Sequence, residues 1–159
     1  MTQGEIAKWL KGITIVIAVM GGVFFLGLLP GLGKEMTVLY PEAAWLYLPA
    51  LLYGWCIALF CYAILFQFWK VCVEIGKDNS FSAENAGAFK NISRIALMLG
   101  VVWFLGIVML AFSGFGQPAI LILMLIMVVV HMILAILAAA LSHLILKAYE
   151  MKRETELTI

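Results

Sequence analysis

Charge is confined to the two ends of this chain and to short interior intervals, and that confinement dictates what it can fold into. No Asp, Glu, Lys or Arg occurs from Gly12 to Gly33, from Ala43 to Trp69, or from Ile95 to Leu146. One helix needs about 20 apolar residues to cross the hydrocarbon of a bilayer. The first two blocks therefore hold one span each and the third holds two. In lipid the backbone must satisfy its own N–H and C=O groups, so runs of this length are helical. The expected fold is all-α: a four-transmembrane-helix bundle, built as two helical hairpins within one integral membrane domain, 1-159. The spans are expected at about 12-32, 46-69, 95-112 and 119-146, with a linker at 70-94 and a tail at 147-159.

Composition agrees. Hydrophobic residues make up 65% of the chain, mean hydropathy is +1.12, and charged residues amount to 12%, against roughly a quarter in soluble domains. A soluble chain of this length could not hide so much apolar surface. A formal net charge of +1 gives no reason to expect direct nucleic-acid binding. Cys56, Cys61 and Cys72 lie inside or at the end of one expected span, which suits reduced packing residues rather than a disulfide framework.

Lys8 and Lys11 precede the first apolar run and invite a signal-peptide reading. No A-x-A-like site follows and the run exceeds a signal core, so an uncleaved first span is expected. Pro30 to Ala44 is rich in Pro and Gly and reads as a connection, with Tyr40, Trp45 and Tyr47 suited to a water–lipid interface. Ser113 to Pro118 reads as a tight turn between the last two spans.

Orientation follows from the placement of the basic residues. Lys8, Lys11, Lys70, Lys77, Lys90, Arg94, Lys147, Lys152 and Arg153 share one side, and Lys34 lies on the other. Basic residues near spans stay cytoplasmic. Both termini and the linker are therefore expected in the cytoplasm of a bacterial cell, with the protein in its membrane.

Small residues four apart suggest close helix contacts: Ala18 with Gly22, Gly54 with Ala58, Ala135 with Ala139, and Ala138 with Ser142. Glycine and alanine are also simply common in membrane helices. These pairs leave a homo-oligomer open.

Candidate chemistry is sparse. His131 falls near the middle of the fourth span, where polar side chains are rare and usually face the protein interior. His143 lies about 18 Å further along the helix and about 120° around it, so the two cannot hold one metal or haem. A hydrogen-bonded packing role is expected for His131, with Ser142 and His143 the other intramembrane polar candidates. No cofactor and no metal is expected. No charged residue lies within a span, as a proton-coupled exporter would need, and there is no P-loop, H-E-x-x-H or dinucleotide fingerprint, so no enzyme is expected.

The linker, KVCVEIGKDNSFSAENAGAFKNISR from Lys70 to Arg94, is more specific than a topology signal requires. Asp78-Asn79-Ser80 reads as a turn, and Ser82 can cap a helix starting near Ala83 with Glu84 in its first turn. The second span is expected to continue as helix into Glu74 and the fourth into Arg153. Together these would form a platform whose candidate partner-binding residues are Glu74, Phe81, Glu84, Asn85, Lys90, Arg94, Glu150 and Glu154. Phe81 would be the anchor and the charges the selective rim. Alternatively, Phe81 staples the helix start against Ala86 or Phe89 and the charges only set topology.

The stretch Asn79-Ser80-Phe81-Ser82-Ala83-Glu84-Asn85, followed by Lys90 and Arg94, and the ending Glu154-Thr155-Glu156-Leu157-Thr158-Ile159 resemble a family of small bacterial four-span membrane proteins of unknown function. The resemblance covers essentially the whole chain, although the family often has Pro before the Phe where Ser80 stands here. Genes of the family commonly lie beside one for a Cro/cI-type helix-turn-helix regulator, which implies such a regulator as a cytoplasmic partner. The alternative from another class is a small transporter or channel, which would need a path lined by residues such as His131, Ser142 or Tyr62.

Overall fold

The computed structural model describes residues 2–157; the Thr158-Ile159 end of the C-terminal motif lies outside them. The elements are α1 (Gln3–Val23), a π-helical turn (Phe24–Leu28), α2 (Leu29–Leu39), a 3₁₀ turn (Pro41–Leu46), α3 (Tyr47–Ile75), α4 (Ala83–Phe112) and α5 (Pro118–Leu157). Among the described residues there is no strand. The continuous helical stretches Gln3–Leu39, Pro41–Ile75, Ala83–Phe112 and Pro118–Thr155 are each long and apolar enough to cross a membrane.

The four packed layers form an open row. The α1/α2 stretch packs on α3, α3 on α4 and α4 on α5, and no other pair of these helices meets among the described residues. Most large apolar side chains consequently point outward, from Trp9 and Leu26 at one edge to Ile136 and Leu144 at the other. Lipid tails are as apolar as leucine, so such faces carry no penalty in a bilayer.

Each contact is stitched by side chains that donate to main-chain carbonyls of the neighbouring helix. Between α4 and α5, Ser93 Oγ donates to the carbonyl of Ala135 at 2.8 Å and Ser142 Oγ to that of Ala86 at 2.7 Å. The backbones come close enough because Ala88, Ala96, Gly100, Ala135 and Ala138 are all buried there. Of the expected small pairs, Ala138 and Ser142 lie at this contact, while Ala139 faces outward. Between α3 and α4, Tyr53 donates to the carbonyl of Val102 at 3.0 Å, and Gly106 admits the phenol because any Cβ there would collide with it.

The first span differs from expectation at Pro30. The chain does not leave the helix there but continues to Leu39. The π-helical turn absorbs the proline: the N–H of Leu29 reaches back five residues to Phe24, and the next donor in that pattern would be Pro30, which has none. Trp55 of α3 supplies it instead, its Nε1 donating to the carbonyl of Phe25 at 3.1 Å. Two turns further along α3 toward the linker, Tyr62 donates to the carbonyl of Ala18 at 2.6 Å.

Candidate functional site

The linker is a short, hydrogen-bonded frame between α3 and α4. α3 ends at Ile75, and the N–H groups of Lys77 and Asn79 both return to the carbonyl of Glu74 at 3.0 and 3.1 Å. Asp78 takes up φ of +57°, a left-handed conformation that Asp tolerates better than most residues. The expected turn at Asp78-Asn79-Ser80 is therefore present, and so is the expected cap: Ser82 Oγ accepts from the N–H of Asn85 at 3.1 Å. α3 reaches past Glu74 and α5 past Arg153, as their compositions predict.

Asn85 is the residue that locks the frame. Its Nδ2 donates to the carbonyl of Ser80 at 2.9 Å and to that of Asn79 at 3.4 Å. Only 1% of it is exposed, so its expected place on a partner-binding surface is corrected: the turn needs a buried donor, and Asn85 provides it. Its Oδ1 is buried without a hydrogen-bond partner among the described residues. Glu74 is likewise largely spent inside the frame. Its two oxygens accept from Lys77 Nζ at 2.7 Å and Asn79 Nδ2 at 3.0 Å, and these hydrogen bonds, Lys77 first, hold its pKa below the usual carboxylate value.

The N-terminus is tied to the same frame. Ser80 Oγ donates to Gln3 Oε1 at 2.9 Å, Ala7 is buried beside Gly76, and the Lys11 ammonium stands 5.7 Å from the Trp69 ring. Thr2 and Glu5 close a capping box at the start of α1. Gln3 and this N-terminal brace escaped sequence reading because nothing in a lone glutamine signals a partner far along the chain.

Phe81 sits between two anchored neighbours, Ser80 and the buried Ser82, yet 59% of it is exposed. The frame thus leaves most of this aromatic ring uncovered. Glu84, Lys90 and Arg94 are exposed on α4, and Glu150 and Glu154 on α5. The paired bonds Ala86–Ser142 and Ser93–Ala135 step seven residues in opposite directions, so the start of α4 lies level with about Ile145. α5 then projects roughly 15 Å or more past the start of α4, with Glu150 about halfway along that projection and Glu154 nearer its end.

Within the spans, His131 is 8% exposed, and its Nδ1 lies 2.7 Å from the carbonyl of Met127. A carbonyl can only accept, so Nδ1 carries a proton in this contact. The ring stands 6.5 Å from that of Trp103, which in turn meets Tyr53 edge-on at 6.1 Å. Trp103 Nε1 is buried without a hydrogen-bond partner among the described residues. Ser142 is committed to Ala86, and His143 is exposed. Tyr62 thus bonds α3 to the first helical stretch and Ser142 bonds α5 to α4, while the hydrogen bond of His131 stays within α5.

Residues 31–159, from inside α2 to the end of the chain, match the family described as Protein of unknown function (DUF2975). This chain belongs to that family. It is also similar to the uncharacterized membrane protein YoaS of Bacillus subtilis (strain 168), at 27% identity over 134 residues, covering 83% of this chain and 84% of that protein. No solved structure matches it. The chain is therefore a multi-pass membrane protein of a family without assigned function, and the matched region includes the whole linker frame.

Proposed function

We propose that the protein is a non-enzymatic membrane component that binds a cytoplasmic protein through its linker, both termini lying on the cytoplasmic side. The observation that carries this reading is Phe81. A large apolar ring left mostly exposed is ordinary on a flexible loop or toward lipid, but here both neighbours are tied: Asn85 Nδ2 donates to the carbonyl of Ser80, Ser80 Oγ donates to Gln3, and Ser82 Oγ accepts from the N–H of Asn85. A pre-organised aromatic costs little entropy to bury, which is what an interface anchor needs. Glu84, in the first turn of α4, supplies charge beside it. A small helix-turn-helix regulator is the partner that the family resemblance implies.

The test places a photo-crosslinking residue at Phe81 in cells and identifies the adduct. A single soluble protein is expected, lost in a background carrying Glu84→Lys. Adducts to lipid alone would return the ring to a membrane-contact role. In parallel, Phe81→Ala should weaken recovery of that partner about 30-fold, the effect of losing an anchor worth about 2 kcal/mol, with insertion and the size-exclusion profile unchanged.

A further inference from the structure

At the end opposite the linker the two hairpins part. α2 and the 3₁₀ turn pack on α3 and never reach the backbone of α4 or α5. The gap between them is a cavity of about 430 Å³, well within the range of small-molecule sites. Its inner wall is aliphatic, with Leu29, Leu51 and Ile120. Its outer rim carries Tyr40, Tyr47 and Gln117, and no charged side chain lines it anywhere. Trp45 and Phe115 meet edge-on beside the rim, with ring centroids 6.4 Å apart.

The rim groups are idle within the protein. Tyr53 and Tyr62 each donate to a helix carbonyl, whereas among the described residues the hydroxyls of Tyr40 and Tyr47 and the amide of Gln117 take part in no hydrogen bond. The Tyr47 ring lies against Gly33, where a Cβ would approach it to 2.7 Å, so the glycine gives this rim residue its seat. From Leu29 to Tyr40 the wall descends roughly 16 Å along a helix.

We propose that the cavity holds one acyl chain of a membrane glycerophospholipid, with its ester oxygens accepting from Tyr47, Tyr40 and Gln117. The gradient from aliphatic wall to hydrogen-bond donors to an aromatic belt follows the gradient of such a lipid from tail to ester to headgroup level. The uncharged lining admits a hydrocarbon chain but offers no cation to a fatty-acid carboxylate. The site also lies where α2 and the 3₁₀ turn stand off the backbone of α4 and α5, so the acyl chain bridges them.

The protein, purified in mild detergent and washed, should retain about one phospholipid per chain, read by mass spectrometry of extracted lipid. Ala50→Phe and Ala43→Phe each put a ring into the cavity from a different wall and should reduce that retention at least about tenfold, a loss of roughly 1.4 kcal/mol, with the size-exclusion profile unchanged. Should one variant misfold, the other decides. Dioleoyl phosphatidylglycerol added to delipidated protein should raise Tm, and oleate should not. Equal phospholipid retention in the folded filling variant, or stabilisation by oleate equal to that by the phospholipid, would overturn the proposal.

Discussion

Trp55 hydrogen-bonds the carbonyl of Phe25, the acceptor that Pro30 leaves unserved one helical repeat further on. This bond reconciles a proline in mid-helix with a first helical stretch that runs unbroken from Gln3 to Leu39. Trp55→Phe keeps most of the ring and removes the donor, and should cost about 1 kcal/mol, the usual scale of hydrogen bonds between membrane helices. In a Pro30→Ala background the new N–H can serve the same carbonyl, so the second cost should shrink. Equal costs in the two backgrounds, measured by thermal unfolding in detergent as a double-mutant cycle, would show that the indole does not compensate for the proline.

Ala96 has no exposed surface, whereas Ala139 faces outward on α5. Ala96→Leu should force α4 and α5 apart and cost about 1–3 kcal/mol, as overpacking usually does. Ala139→Leu should be close to neutral. Similar melting temperatures for the two variants would contradict the close approach of these helices.

Glu74 gives the linker a pH dependence of definite sign. Its pKa is lowered in the folded state by the hydrogen bonds from Lys77 and Asn79, so its stabilisation is complete above the usual glutamate value. It is lost as pH falls through the lowered one. Melting temperature of the wild type should therefore drop more steeply than that of Glu74→Gln in the acidic range below about pH 4.3. Parallel curves would mean that the carboxylate contributes nothing to the frame.

The orientation proposed from charge can be read directly. In a background lacking Cys56, Cys61 and Cys72, single cysteines replace Lys34 and Lys77, which lie at opposite ends of the helices. An impermeant thiol reagent on intact cells should label only the first. Labelling of the second would place the linker outside and remove any cytoplasmic partner.

Much of this architecture was legible in one dimension. Blocks without charge mark the long helices, Ser82 and Glu84 mark the start of α4, and Pro118 marks the start of α5, because spanning length, capping and the proline ring are local constraints. The distribution of Lys and Arg likewise needs only counting. Tertiary structure alone decided the rest. Whether Pro30 ends a helix depended on an indole on another helix, and whether Asn85 faces a partner depended on the carbonyls that the linker turn aims at it. The open row, the exposure of Phe81 and the cavity between the hairpins were hidden for one physical reason. In a membrane protein, lipid-facing and helix-facing positions are equally apolar, so hydropathy reports that a residue leaves water but not what it meets instead.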